Sequence, residues 1–202
     1  MRWQRLTILT LSLLWGGCAH TIGVHVDGES ARSMQAGETY SFVVGGPQAV
    51  EGSERWQVTT ATLTRILQQQ GLQQASAKET ADWRLFVDYG VGEPQVRERY
   101  YVSPMAYGRF ASSGRNRLGL GFSARFRTRT ETRIPLYLRV EGVYGDTTDE
   151  TRSWRSSAVR ISTRGDLDQI LPALAWALRD IIGHSTTGNR SLSVPINPDQ
   201  FE

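Results

Sequence analysis

Apolar positions along the chain follow two periods, and the changes from one to the other lay out its elements. Thr39-Tyr40-Ser41-Phe42-Val43-Val44 reads as a strand stopped by Gly45-Gly46-Pro47. Trp56, Thr59, Leu63, Ile66 and Leu67 then fall at helical spacing, behind a capping Ser53 and ahead of Gly71, which suits the left-handed position after a helix end. From Ala81 to Val91 the alternation is strict: Trp83, Leu85, Val87, Tyr89 and Val91 share one face, and Asp82, Arg84, Phe86 and Asp88 the other. Leu118 to Thr130, Ile134 to Val143 and Trp154 to Ile161 read as three more strands. Asp166-Leu-Asp-Gln169 has the form of a capping box, and Leu167, Ile170, Leu171, Leu174, Leu178, Ile181 and Ile182 carry a helical period to Gly183, with Pro172 placed to delay or bend it.

Consecutive strands joined by short turns predict an antiparallel meander, and two amphipathic helices can cover one of its faces. The expected fold is α+β, a two-layer sandwich with an antiparallel sheet of four to five strands. Its domain spans 38–184. Residues 97–117, aromatic and glycine-punctuated without a period, read as a long hairpin excursion or mobile loop. Residues 18–37 read as a tether with a short strand candidate at 21–26, and 185–202 as an extended or disordered tail.

The apolar run from Leu6 to Trp15 follows Arg2 and Arg5 and is shorter than the roughly 20 residues of a membrane-spanning helix, so 1–17 reads as an export signal. Trp15-Gly16-Gly17-Cys18 resembles the cleavage site of bacterial lipoprotein precursors, in which a small residue and Gly or Ala precede the lipidated Cys. Trp15 stands where those precursors usually carry Leu. The resemblance implies a diacylglyceryl thioether on Cys18, and Ala19 behind it implies the outer membrane, periplasm-facing. Ordinary cleavage after Ala19, leaving a soluble periplasmic protein, is the other reading. The segment from Tyr40 to Tyr89 resembles a family of exported bacterial lipoproteins known as a domain of unknown function. The matching features are a Tyr-x-Phe strand, a helix ending Ile66-Leu67…Gly71, and Ala81-Asp82-Trp83-Arg84-Leu85-Phe86-Val87-Asp88-Tyr89. That family implies an α+β fold in the envelope and no catalytic residues.

Charge changes the picture locally. The net +3 falls to +1 without residues 1–17, since 21 basic then face 20 acidic groups. This argues against a nucleic-acid binder working by bulk electrostatics. Within 97–139, however, ten arginines face only Glu98 and Glu131, a local +8. On a strand Arg125, Arg127 and Arg129 line up about 6.6 Å apart, with Arg133 further along. Their guanidinium forks suit phosphate or carboxylate, so these four are the candidate anion-binding residues. The alternative is a solvated strand face neutralised by Glu141, Asp146, Asp149 and Glu150.

One cysteine excludes a disulfide framework and a multi-cysteine metal site, and His20, His25 and His184 show no ligand spacing. No Gly-x-Ser-x-Gly or Ser-x-x-Lys motif is present, Asp82 and Asp88 are about 20 Å apart on one strand, and no cofactor is implied. The expected function is therefore non-catalytic: a lipid-anchored envelope protein binding lipopolysaccharide, peptidoglycan, an acidic partner or another anionic component. A structural subunit or assembly accessory of an envelope complex is the alternative. An envelope hydrolase would need His184 to meet a carboxylate and a serine in one cleft.

Overall fold

The computed structural model describes residues 21–109, 119–145 and 152–196; of Glu79, 103–109 and 119–125 it describes the backbone path alone. Residues 1–17, read above as an export signal, and Cys18 lie outside the described residues. The elements are β1 (Thr21–Ser30), β2 (Thr39–Val44), α1 (Glu54–Gln69), β3 (Gln73–Gln74), a 3-10 turn (Lys78–Thr80), β4 (Trp83–Val91), β5 (Gln95–Arg109), β6 (Gly119–Tyr144), β7 (Trp154–Ser162), α2 (Leu167–Ala177) and β8 (Arg190–Pro195).

Helix α1 starts and stops where the sequence places it. Ser53 Oγ accepts the Trp56 N–H at 3.2 Å. Gly71 takes φ 86°, and the Leu72 N–H turns back onto the Leu67 carbonyl at 3.0 Å. The helix returns the chain to the end of the sheet where β2 began, so β4 lies parallel to β2, in register Tyr40↔Trp83 to Val44↔Val87.

That crossover is one of three reasons the sheet departs from the expected four-to-five-stranded antiparallel layer. It is a mixed sheet of eight strands, ordered β3-β2-β4-β6-β7-β1-β8, with β5 paired to β6 off that path. The second reason is that the expected tether and tail supply strands. In β1, Ile22, Val24 and Val26 are each at most 4% exposed, and β1 pairs with β8 as Ile22↔Val194 and Val24↔Leu192. The strand candidate at 21–26 is the first part of β1, which runs on to Ser30; polar residues between few apolar ones hid that extent and hid β8. The third is β5, which takes up much of the segment expected as a hairpin excursion or loop and adds a strand beyond the expected count.

The expected strands at 118–130 and 134–143 are one strand, β6, because Glu131-Thr132-Arg133 carries no turn residue and keeps the alternation. Both expected helices are present. Asp166 occupies the α2 N-cap position without a side-chain bond, so the capping box is not formed, and the helix runs through Pro172 but ends at Ala177, short of Gly183.

The α+β expectation holds only in part, because the described chain is mostly strand. Both helices cover the face that carries Trp83, Leu85, Val87, Leu136, Leu138 and Val140, all at 0% exposure. They also bind each other. Arg55 forks onto Asp168, with its Nη2 3.0 Å from Oδ2, and Gln70 Nε2 donates to the Arg179 carbonyl at 2.8 Å.

At the start of the parallel pair, the Thr39 N–H and Oγ1–H donate to Asp82 Oδ2 at 2.7 and 2.8 Å, and the Asp82 N–H returns to Thr39 Oγ1 at 3.0 Å. These bonds favour the ionised carboxylate and hold its pKa below the ordinary value. The folded pKa therefore lies below the unfolded one. The stabilisation is fully present above the unfolded value of about 4 and is lost as pH falls through the lowered folded value. Asp82→Asn is expected to be less stable than the parent at neutral pH and to converge with it in acid, read from urea midpoints across pH. A difference that stays constant into acid would count against the clasp.

Candidate anion-binding ribbon

Strand β6 belongs to two structures. Its C-terminal part, Ile134–Tyr144, lies at the centre of the sheet between β4 and β7. Its N-terminal part, Gly119–Arg133, pairs only with β5, from Gln95↔Arg133 to Arg109↔Gly119. Those fifteen pairs make a two-stranded ribbon about 48 Å long, leaving the body at the end of the sheet where β4 and β7 finish.

Directly paired residues of an antiparallel ribbon share a face, so the register sorts its side chains. One face carries Arg97↔Glu131, Arg99↔Arg129 and Tyr101↔Arg127, with Arg133 at the root opposite Gln95. The other carries Val96, Tyr100, Val102 and Phe126, which are 65, 73, 58 and 73% exposed. Arg125 pairs with Ser103 in register, and its side chain lies outside what the structure describes. The ribbon thus brings Arg127, Arg129 and Arg133 onto one face and adds Arg97 and Arg99 from the segment expected as a hairpin excursion or loop. The signal was present in β5 as Val96, Tyr100 and Val102 alternating with Arg97, Arg99 and Tyr101. The Tyr100-Tyr101 doublet, aromatic on both faces, obscured it.

The charge on this face is not balanced locally. Glu131 Oε2 lies 3.7 Å from both Arg99 Nε and Arg133, one carboxylate between two guanidinium groups. Arg97, Arg127 and Arg129 have no acidic partner among the described residues. Arg99 stands directly opposite Arg129, a like-charge pair that costs stability unless an anion sits between the two. The neutralising acids expected from the sequence are elsewhere or undescribed. Glu141 is buried in the central sheet and held by Nε and Nη1 of Arg152, at 2.9 and 3.0 Å. Asp146, Asp149 and Glu150 lie outside the described residues.

The remaining chemistry is sparse. Grooves of about 630 and 600 Å³ flank α1, and neither contains a histidine. The Lys78–Glu51 ion pair, at 2.5 Å, lines the first, and the Arg55–Asp168 pair lines the second, where the arginine holds the carboxyl below its ordinary range. His184 is exposed, and among the described residues no carboxylate–serine pair is bonded to its ring. His25 Nδ1 shares a 2.9 Å bond with Ser191 Oγ on an exposed part of the sheet. No group of three metal-ligating side chains occurs among the described residues. Among them, too, no helix is long and apolar enough to cross a membrane.

No protein-family model and no curated protein sequence matches the chain. Among solved structures it is similar to a PDZ domain protein from Parabacteroides distasonis, at TM-score 0.43 and 10% identity over 92% of this chain. The chain spans only 42% of that protein's length. It is also similar to PelC from Paraburkholderia phytofirmans, solved as a dodecamer, at TM-score 0.42 and 10% identity, covering 81% of this chain and 99% of PelC. A point variant of the PelC dodecamer gives 0.41 and 11% over the same shares.

Proposed function

We propose that this chain is a non-catalytic, lipid-anchored envelope protein that engages an anionic component of the envelope through the guanidinium face of its ribbon. The observation that carries this reading is the opposed pair Arg99 and Arg129, with Arg97 and Arg127 beside it and Glu131 as the one acid on that described face. A strand face kept merely for solubility gains nothing from stacking like charges across a pair.

The anchor reading is supported by the start of β1. Thr21 is only three residues from Cys18, a reach of about 10 Å, and it begins its strand at the end of the sheet from which the ribbon leaves. A lipid on Cys18 therefore holds the ribbon's root close to the bilayer surface. The alternative of a structural subunit draws on a different observation, the two ribbon edges that have no strand beside them.

The test uses a chain beginning at Ala19, which keeps every described residue, and vesicles of phosphatidylcholine with and without lipopolysaccharide. Binding is expected only to the anionic vesicles and to weaken with salt. Replacing Arg97, Arg127 and Arg129 together with Ser is expected to lower affinity roughly tenfold or more, at about 0.5–1 kcal/mol for each exposed charge contact. Undiminished binding by the triple variant would falsify the anion reading. Mass spectrometry of the native protein reads the anchor, and an unmodified N-terminus at His20 would refute it.

A further inference from the structure

The ribbon's register continues beyond the arginine pairs, and the alternation continues with it. From Tyr101↔Arg127 to Arg109↔Gly119 there are nine pairs. Even-numbered positions on β6 are Phe126, Ala124, Phe122 and Leu120, and β5 adds Val102 and Ala106; no even position in this stretch is charged. All three of its arginines, Arg109, Arg125 and Arg127, are at odd positions. Nine residues lie within the 9–11 that a tilted strand needs to cross the hydrocarbon of a bilayer. Tyr100, Tyr101 and Phe126 stand at the body end of the stretch, where membrane strands carry an aromatic girdle. The arginine-rich pairs nearer the root, with Glu98 and Glu131, then fall outside the hydrocarbon.

Two further observations give this end of the molecule a direction. The large hydrophobic residues most exposed among the described ones are all on the ribbon or at the sheet end from which it leaves. Val50 and Val58 flank the start of α1, and Ile161 pairs with Pro135 at the ribbon's root. The chain also enters the sheet there at Thr21, and the export signal and Cys18 precede that point.

A single ribbon cannot cross a bilayer, because both of its edges expose backbone N–H and C=O groups that hydrocarbon leaves unsatisfied; only closed barrels avoid this. Each copy has two such edges, one on β5 and one on the ribbon part of β6, and each edge can pair with the other type on a neighbour. We propose that several copies of this chain pair their ribbons edge to edge, β5 of one on β6 of the next, into a transmembrane barrel with the even positions toward lipid and the odd positions toward a water-filled lumen. Pro104 supplies no N–H, and the other positions of β5 carry that ladder. The arginines then ring the lumen, as cationic rings do in anion-conducting pores. The proposal rests on the anion reading above in one respect, the guanidinium face, and makes the anion a passing solute.

The experiment takes the native protein, extracted in detergent, into mass measurement and into planar bilayers of phosphatidylcholine under a potassium chloride gradient. An oligomer, stepwise conductance and a reversal potential on the chloride side are expected. Arg125→Ser with Arg127→Ser is expected to move that potential toward zero. Phe122→Arg, which puts a charge at an even position near the middle of the nine-pair stretch, is expected to abolish conductance while the melting of the body stays unchanged. A monomer without conductance overturns the barrel, and the vesicle binding described above still stands or falls by itself. Conductance at the parent level in Phe122→Arg overturns the barrel as well. An unshifted reversal potential in the double arginine variant overturns the lumen assignment.

Discussion

Replacing Trp83 with alanine is expected to lower the unfolding free energy by about 4 kcal/mol, near the middle of the range for deleting a large buried aromatic. Trp83 opens β4 at 0% exposure. It meets Tyr144 edge-on, with centroids 5.0 Å apart, and lies 6.4 Å from Trp154. Its indole Nε1–H donates to Glu38 Oε2 at 2.6 Å, and Arg32 binds the same carboxylate at 3.4 Å while lying over the Tyr144 ring, 3.3 Å from its centroid. Truncation therefore opens a cavity and strips a part-buried acid of a donor at once. Trp83→Phe keeps most of the packing and should lose only about 1–2 kcal/mol. Urea unfolding of the two variants separates the terms, and an alanine cost no larger than the phenylalanine cost would remove the cavity from the account.

The second large effect is expected at Gly142→Ala, about 3 kcal/mol, from overpacking. A Cβ on Gly142 would stand 2.2 Å from both Cε2 and Nε1 of Trp154, a residue only 2% exposed. The two residues are register partners across β6 and β7. Trp154→Ala alone should cost about 3–5 kcal/mol. In the double variant the methyl at 142 fills space that the ring has left, so most of the Gly142 penalty should vanish. A denaturant double-mutant cycle reads this as a coupling of about 2–3 kcal/mol, and strict additivity would show that the close approach does not carry the effect.

The sequence was most legible where one face is buried and the period is long. The strand at Thr39–Val44, the helix between Ser53 and Gly71 and the alternation up to Val91 all appear where the pattern places them, because packing against a core enforces the period. Legibility failed for strands held by neighbours more than by composition. β1 offers three apolar residues among glycines and polar groups, and β8 offers Leu192 and Val194. β1 is held between β7 and β8, and β8 has its ladder from β1, a pairing across more than 160 residues that leaves no local trace.

Sheet direction was also hidden, since nothing in the residues of α1 says that it joins parallel strands. Of the candidate site, the guanidinium row was readable on the β6 side through Arg127 and Arg129. The β5 side was not, because a ribbon exposed on both faces has aromatic and charged residues on either side and lacks the contrast that burial produces.

The single strand that runs through both body and ribbon has a mechanical meaning. Tension applied along the ribbon passes through β6 straight into the middle of the sheet. There nine residue pairs bind it to β4 and nine to β7, all loaded in shear. Such a joint yields only when many backbone bonds break together, whereas an arm attached through a loop would pull its sheet apart one bond at a time. A body loaded through its ribbon would keep its shape for that reason.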